Sequence, residues 1–189
     1  LGCGDAAYLT KLFHEHNIWR RIISYTGVDL SSEAMKIGEE NIKPMLNNDA
    51  KLTYVKQDMS TFAEGCSDGF YDCIFSSLAI HHLQDNEKEN LLQQIRRILK
   101  PNGCFIMVDI CLQEDENRND FIQDIATHIR NDWIKLDFEQ ITSVISHLVS
   151  FDFPAKLSVW KKWAEQQDLF KNIICFETLR FYKTIVMEC

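Results

Sequence analysis

The sequence predicts an α/β fold with a doubly wound, mostly parallel sheet, and three observations support this. Strand-like and helix-like segments alternate over the first two thirds of the 189-residue chain. The apolar runs around Cys73–Phe75 and Cys104–Val108 are strand-sized and continuous, which is typical of strands buried on both faces. Further helices then precede two final strands. The β-α-β order implies helices on both faces of the sheet, joined by right-handed crossovers.

Periodicity and turn residues define the elements of the first part. A helix is expected from Ala6 to about Ile23, followed by a short buried strand over 25–30. Ser31 offers an N-cap for the next helix, and Leu52–Val55 is the next strand. The apolar positions expected to face the core are Leu9, Leu12, Phe13 and Trp19 in the first helix and Ala34, Ile37, Ile42 and Met45 in the second.

The middle of the chain contains the strongest strand signals. The predicted elements are, in order, a turn over Gly65–Gly69, a strand over Tyr71–Ser76 with Cys73, Ile74 and Phe75 buried, a helix over Glu87–Leu99, a turn over Lys100–Gly103 and a strand over Cys104–Ile110. The helix is predicted because Leu91, Leu92, Ile95, Ile98 and Leu99 recur at helical spacing.

The last third changes character, because charged helical segments replace the alternation. Helices are expected within residues 113–135, 137–149 and 158–168, with Asp137 and Gln140 as a capping box for the second of them. Strands over 173–180 and 182–188 then close the sheet. We expect residues 1–189 to form a single domain, in which residues from about 113 to 155 are a helical insertion before the last two strands.

Composition narrows the partners and the compartment. The chain carries 20 Lys and Arg against 28 Asp and Glu, a net charge of −8, so it is ill suited to nucleic acid or an anionic membrane. No apolar stretch approaches the roughly 18–20 residues that a membrane span needs. The seven cysteines form no CxxC pair. They predict reduced thiols in a cytoplasmic protein, with no disulfide and no metal site.

The first two candidate binding segments lie at expected strand ends, where parallel sheets bind ligands. Gly2-Cys3-Gly4 allows a close backbone approach to a ligand, and the helix after it offers free N–H groups. The alternative is a helix-entry turn without a ligand. Asp29 can accept both hydroxyls of a ribose; the alternative is that it only caps the helix at Ser31.

Two more segments follow the next strands. Asp58 can accept an adenine amino hydrogen while Met59 packs on the ring, or it is an ordinary solvated acid. The small residues Ser76 and Ser77 lead to His81 and His82, which could act as a base or as a polar pocket wall. We expect at least one of the two histidines to be packed and hydrogen-bonded instead.

Five motifs together resemble the class I S-adenosylmethionine-dependent methyltransferases. They are Gly2-Cys3-Gly4, Gly27-Val28-Asp29-Leu30-Ser31, Gln57-Asp58-Met59, Tyr71-Asp72-Cys73-Ile74 and Leu99-Lys100-Pro101-Asn102-Gly103. The resemblance covers residues 1–111 and points to the small-molecule branch of the family. It implies a Rossmann-like methyltransferase fold, the cofactor S-adenosyl-L-methionine and in-line methyl transfer to a small organic acceptor.

The resemblance also implies a role for each site residue. Gly2, Cys3 and Gly4 would contact the methionine part of the cofactor. Asp29 and Leu30 would hold the ribose, and Asp58 and Met59 would hold the adenine. Ser76 and Ser77 would lie beside the cofactor, and His81 and His82 would face the acceptor. In members of the family that methylate nucleic acids, a proline motif follows the fourth strand. Ser76–Leu78 stands at that place in this chain and contains no proline. A small acceptor is therefore expected.

The sequence departs from the family pattern at two places. Ala6 stands near the position of a third glycine. The family's first strand, with an acid two residues before the first glycine, should precede Leu1, so we expect the sequence to be a fragment of a longer chain.

Two other functions and a second reading of the insertion stay open. The G-x-G-x-x-A pattern with a later acid also fits an NAD(P)-binding Rossmann oxidoreductase, and a non-catalytic cofactor-binding protein would carry the same binding motifs. The insertion could be an aromatic lid over the acceptor, or its helices could pack on the sheet or on a second subunit of a homodimer. The residues concerned are Trp133, Phe138, His147, Phe151, Phe153, Trp160 and Trp163.

Overall fold

Six strands and seven helices make up the computed structural model, which describes residues 1–16, 21–166, 168–179 and 181–189. The helices are α1 (Ala7–His16), α2 (Ser32–Ile42), α3 (Met59–Gly65), α4 (Asp85–Ile98), α5 (Arg118–Asp132), α6 (Phe138–Phe151) and α7 (Leu157–Glu165). The strands are β1 (Ser24–Asp29), β2 (Lys51–Lys56), β3 (Tyr71–Ser77), β4 (Leu99–Ile110), β5 (Asn172–Leu179) and β6 (Tyr182–Glu188). Short 3-10 turns cover Lys43–Met45 and Ile80–His82.

The strands form a two-stranded sheet and a four-stranded sheet. The strands β1 and β2 pair in parallel, with Asp29 opposite Lys56. The other sheet has the order β3-β4-β6-β5; β3 and β4 are parallel, and β6 runs antiparallel to both of its neighbours. The predicted α/β class is confirmed, and the antiparallel pairs come from the two closing strands.

The first residues of the chain connect the two sheets. The Cys3 N–H donates to the Val28 carbonyl of β1 (3.0 Å), and the backbone nitrogen of Leu1 donates to the Phe75 carbonyl of β3 (2.8 Å). Leu1–Cys3 is therefore hydrogen-bonded to both sheets, at the level where β1 and β3 end. The strand expected before Leu1 stays a prediction.

Buried apolar residues form three clusters: a main core, a smaller cluster under the insertion, and a third that packs Phe13 of α1 against Ile42 of α2. In the main core the predicted stripe of α4 packs on the inner residues of β4, among them Phe105 and Met107, and α7 adds Trp160 and Trp163. The smaller cluster joins α5 and α6 to the ends of β4 and β6 through residues such as Ile110 and Phe181. The insertion thus carries its own apolar contacts with the carboxyl end of β4.

Several predicted boundaries are confirmed by capping geometry. Ser31 caps α2 by accepting a hydrogen bond from the Ala34 N–H (3.1 Å). Asp137 and Gln140 form the expected capping box of α6. The strand prediction for Cys104–Ile110 holds within β4.

Other predictions fail for local reasons. In its described part α1 ends at His16, and Trp19 lies outside the described residues. Ile37 is exposed, because Met35 and Gly38 form the inner face of α2 instead. Cys73 is also exposed, since Ile74 and Ser76 supply the buried face of β3.

The middle of the chain holds two further corrections. The sequence analysis missed α3, whose N-cap is Asp58. The segment Lys100–Gly103 is not a free turn; it lies within β4 at a register shift between Tyr71 and Cys73, where the two strands pair irregularly.

None of the helices in the described part of the chain combines the length and hydropathy that crossing a bilayer requires.

The thiol pair Cys73 and Cys104 yields the first testable prediction. These residues are register partners on β3 and β4, and the hydrogen bond between them raises the pKa of Cys73 and lowers the pKa of Cys104 to about 7. Burial raises the pKa of Cys111 to about 12. At pH 7 iodoacetamide should therefore modify Cys104 first and Cys111 last, because the thiolate is the nucleophile. Peptide mass spectrometry over time measures both rates; equal rates would contradict the prediction.

Candidate functional site

Asp29, at the carboxyl end of β1, is hydrogen-bonded to the glycine loop and to the start of α2. Its Oδ2 accepts the Gly4 N–H (2.8 Å), and its Oδ1 accepts the Ser31 N–H (2.9 Å). The cap of α2 belongs to Ser31, so Asp29 does not act as the N-cap. An ionised carboxylate has about four acceptor positions, so both oxygens keep capacity for a ligand hydroxyl.

The glycine loop is held in a left-handed backbone conformation. Gly2 has φ +59°, Gly4 has φ +49° and Ala6 has φ +53°. A side chain on Gly2 would place its Cβ 2.3 Å from the Cβ of Ala79, so this glycine touches the segment that follows β3. Ala6 adopts its conformation in spite of a steric cost of about 1 kcal/mol, where the family pattern has glycine.

Asp58 lies beside Asp29 on the same edge. It follows Lys56, the register partner of Asp29, by two residues, and the Gln57 N–H donates to the Asp29 carbonyl (3.1 Å). Its Oδ1 caps α3 by accepting the N–H groups of Ser60 (2.9 Å) and Thr61 (3.0 Å). Asp58 is therefore a capping residue and not merely a solvated acid.

Two apolar side chains accompany these carboxylates. Leu30 follows Asp29 and is 65% exposed, which is high for a leucine at a strand end. Met59 begins α3, and its Cε lies 3.6 Å from the position of a Cβ on Gly2. The glycine loop, Leu30 and Met59 together provide apolar and backbone surface around the two acids.

The end of β3 contributes a buried hydroxyl and a strained backbone. Ser76 is 1% exposed, and its Oγ has no hydrogen-bond partner among the described residues. Ser77 is half-buried, and Leu78 has φ +50°, a conformation that non-glycine residues rarely adopt. Strained residues concentrate at ligand sites, and an unpaired buried hydroxyl is a polar group that a ligand can satisfy.

The two histidines occupy different environments. His81 is buried, and its Nδ1 lies 2.5 Å from Asp109 Oδ1, while Asp109 Oδ2 accepts the N–H groups of Ile80 and His81. This confirms the expectation of at least one packed, hydrogen-bonded histidine. His82 is half-exposed, and the close approach of the Asp152 carboxylate raises its pKa.

Asp109 and Asp152 are site residues that the sequence analysis missed. Asp109 is the acid that interrupts the apolar run of β4. A charge inside such a run indicates a buried residue with polar partners, so the sequence did contain a signal for Asp109. Asp152, at the end of α6, is buried in a segment without any comparable pattern. Its position beside the histidines depends on how the insertion packs.

Lys88 anchors the end of the insertion to this region. Its fully buried ammonium donates to the Leu83 carbonyl (2.6 Å) and to the Phe153 carbonyl, and the burial lowers its pKa. The Phe153 N–H in turn donates to the His81 carbonyl (2.7 Å). The segment after α6 is therefore tied to the histidine turn directly by the Phe153 N–H and indirectly through the Lys88 ammonium.

The aromatic residues expected to form a lid divide into two groups. Trp160 and Trp163 belong to the main core. Phe138, His147 and Phe151 instead line an open groove of about 580 Å³ on α6. The core interpretation is correct for the tryptophans.

Comparisons with known proteins show which family the chain resembles. A family model described as "Methyltransferase domain" matches residues 1–107. The chain is 29% identical over 117 residues to phosphoethanolamine N-methyltransferase of Plasmodium falciparum, an alignment that covers 62% of this chain and 39% of that enzyme. It is 27% identical over 112 residues to the polyketide synthase-nonribosomal peptide synthetase phmA of Phaeosphaeria nodorum, covering 58% of this chain and 3% of that protein.

Solved structures share the fold. The O-methyltransferase family 2 protein from Planctomyces limnophilus, in complex with apigenin, superposes with a TM-score of 0.61 at 18% identity. An O-methyltransferase family protein from Burkholderia thailandensis superposes with a TM-score of 0.64 at 11% identity. The alignments cover 99% of this chain and 48% of each of those chains, so this chain spans about half of their length.

The contact between Gly2 and Ala79 gives the second prediction. Gly2→Ala should lower the free energy of unfolding by about 2 kcal/mol or more, because it adds overpacking to left-handed strain. Gly4→Ala should cost about 1 kcal/mol, since no atom lies within 4 Å of its added Cβ and only the strain acts. Urea denaturation measures both.

Gly65→Ala is the matched control, because Gly65 has open space and ends α3 without a positive φ. Its free energy of unfolding should stay unchanged or rise by up to about 1 kcal/mol. Equal losses for Gly2→Ala and Gly65→Ala would contradict the close approach of the loop to Ala79.

Proposed function

Because the chain belongs to the methyltransferase domain family, we propose that it binds S-adenosyl-L-methionine along the edge formed by Asp29 and Asp58 and transfers its methyl group to a small organic acceptor. The observation that carries the proposal is the position of Asp29 and Asp58 at the carboxyl ends of two paired strands, β1 and β2. Asp29 holds the glycine loop through Gly4, and Asp58 follows on the neighbouring strand. A nucleoside can span two such adjacent strand ends.

Asp29 binds the ribose of the cofactor in this proposal. Its bonds to Gly4 and Ser31 fix both carboxylate oxygens, so no side-chain freedom is lost when hydroxyls bind. The remaining acceptor positions suit a pair of vicinal hydroxyls. Leu30, exposed beside it, covers one side of the sugar and base.

Asp58 and Met59 bind the adenine. The bonds of the Asp58 Oδ1 to the first turn of α3 orient the carboxylate, and its Oδ2 accepts no hydrogen bond from any described residue. This oxygen suits the exocyclic amino group. Met59 offers a polarisable apolar surface for the ring.

The methionine part of the cofactor lies between the glycine loop and the end of β3. Gly2, Cys3 and Gly4 expose backbone there, and the unpaired Oγ of Ser76 offers a polar contact. Ser77 follows Ser76 at the end of β3 and is half-buried. The residues present therefore fit the cofactor.

S-adenosyl-L-methionine supplies a methyl group activated by a neighbouring sulfonium. The protein's contribution is alignment, which can supply several kcal/mol of the barrier, roughly 7–11 in favourable cases. His81 and His82 lie next to the acceptor in this proposal. For a hydroxyl acceptor a histidine takes the proton; for a carboxylate acceptor no base is needed.

The acceptor class is a small organic molecule. The net charge of −8 disfavours a nucleic-acid acceptor. Relatives that match the chain include a phosphoethanolamine N-methyltransferase and a polyketide synthase-nonribosomal peptide synthetase. The insertion, with α5 and α6 beside the carboxyl end of β4, covers the acceptor side of the site.

The cofactor assignment gives the third prediction. Asp29→Ala should weaken the binding of S-adenosylhomocysteine at least about 10-fold, because it removes the ribose acceptor, and charge-assisted hydrogen bonds contribute about 1.5–3 kcal/mol each. Asp58→Ala should weaken it by a smaller factor. Isothermal titration calorimetry measures both, and a radiolabelled methyl-transfer assay over a panel of hydroxyl, amine and carboxylate acceptors tests the activity.

Asp72→Asn is the control, since it removes one negative charge from the opposite end of β3, where Asp72 pairs with Lys100. Its affinity should equal that of the unchanged protein. Unchanged affinity in Asp29→Ala would remove the ribose assignment. Binding of NADH in place of S-adenosylhomocysteine would favour the oxidoreductase, and binding without methyl transfer to any acceptor would favour a non-catalytic role.

A further inference from the structure

Three histidine nitrogens surround one carboxylate oxygen at the junction between the insertion and the turn after β3. The Oδ1 of Asp152 lies 3.2 Å from His82 Nδ1, 3.6 Å from His81 Nε2 and 3.8 Å from His147 Nε2. His81 and His82 come from the turn after β3, whereas His147 lies in the second half of α6 and Asp152 is the C-cap of that helix. Residues far apart in sequence therefore present their ligating atoms to one point.

The carboxylate oxygen at the centre is buried and receives no well-aligned hydrogen bond. Asp152 is 4% exposed, and its Oδ1 accepts no hydrogen bond from the described residues in spite of the three nearby rings. The Nδ1 of His82 also lies 3.2 Å from the Phe151 carbonyl, which is a competing acceptor for any proton it carries. A buried carboxylate needs a positive charge beside it, which either a bound cation or protonated histidines supply.

The Nε2 of His81 faces that oxygen. The Asp109 carboxylate accepts the Ile80, His81 and Ile110 N–H groups, and in its 2.5 Å contact with the His81 ring it accepts from Nδ1. When the ring carries its one proton on Nδ1, the lone pair of Nε2 is available to a cation held beside Asp152. A histidine whose other nitrogen donates to a carboxylate is the usual arrangement of a metal ligand.

The distances from Asp152 Oδ1 to the histidine nitrogens are close to those around a tetrahedral ion. Metal–nitrogen and metal–oxygen bonds of about 2.0–2.2 Å imply ligand-to-ligand distances of about 3.3–3.6 Å. The distances from Asp152 Oδ1 are 3.2, 3.6 and 3.8 Å. The ligand atoms of His81, His82 and Asp152 all lie within 4.8 Å of one another.

We propose that His81 Nε2, His82 Nδ1 and Asp152 Oδ1 bind a divalent transition-metal ion of the zinc class, with His147 at the solvent side of the site. Imidazole and carboxylate ligands suit Zn²⁺, Co²⁺ and Ni²⁺ better than Mg²⁺ or Ca²⁺, which prefer oxygen alone. The carboxylates of Asp152 and Asp109 balance the charge of the ion.

The surrounding bonds prepare the site and leave a route to it. Lys88 and the Phe153–His81 hydrogen bond fix the end of the insertion against the histidine turn. The side chains of His82 and His147 are 40% and 56% exposed, so an ion reaches the site from solvent. Bound metal would clamp α6 to the turn that follows β3. It would also occupy the lone pairs of His81 Nε2 and His82 Nδ1, so these histidines take a proton from an acceptor only in the metal-free chain. The sequence analysis expected no metal because it relied on cysteine spacing.

The test measures metal binding by the full chain without cofactor or acceptor, so its outcome is independent of the proposed methyl transfer. After dialysis against a chelator, Co²⁺ should give the intense visible bands of a four- or five-coordinate ion, without the ultraviolet bands of thiolate ligands. Calorimetry with ZnCl₂ should give one site per chain. Asp152→Asn and His82→Gln should each weaken Zn²⁺ by more than the roughly 10–100-fold that loss of an outer partner costs.

His128→Gln is the matched control, because His128 Nδ1 lies 2.6 Å from Asp132 Oδ2 in an exposed pair on α5. It should bind Zn²⁺ as the unchanged chain does. A cobalt spectrum of the unchanged chain that stays that of the six-coordinate aqua ion overturns the proposal, whether or not the variants fold. Equal zinc affinity in the unchanged chain and in folded His82→Gln, with folding checked by circular dichroism, also overturns it; protonated histidines then neutralise Asp152.

Discussion

The hydrogen bonds of Leu1–Gly4 to both sheets are the constraint on which the site depends. Cys3 binds the Val28 carbonyl on one side, and Leu1 binds the Phe75 carbonyl on the other. Buried backbone groups must be paired, so these bonds leave little choice of position for the glycine loop. As a result the loop lies between the carboxyl ends of β1 and β3, within reach of Asp29 and against Ala79.

The acids at this edge serve the fold and the proposed ligand at the same time. Asp29 fixes the loop and the approach to α2, while Asp58 starts α3. A side chain already fixed by structural hydrogen bonds loses little entropy when a ligand binds, which favours affinity. The same double use means that a substitution at either acid acts on local stability as well as on binding, so folding has to be measured alongside affinity.

A second set of polar contacts connects the insertion to the sheet. Asp109 orders the histidine turn through its backbone and ring contacts, and Lys88 draws the Phe153 carbonyl to the same place. These bonds, together with those of Arg118 to the carbonyls of Asp152 and Val149, hold the end of α6 where Asp152 reaches the histidines. The proposed cofactor edge and the proposed metal site are thus adjacent to the two ends of one segment, Ser76–His82, whose backbone is strained at Leu78.

The sequence by itself determined the α/β order, the buried stripe of α4, the cap at Ser31 and the placing of Asp29 and Asp58 after neighbouring strands. These features rest on interactions within a few residues or on simple periodicity, which a single sequence displays. Only the tertiary structure decided that Ile37 is exposed and that His147 and Asp152 meet the histidine turn. Those outcomes depend on which faces pack together and on contacts between residues far apart in the chain, for which the local pattern carries no signal.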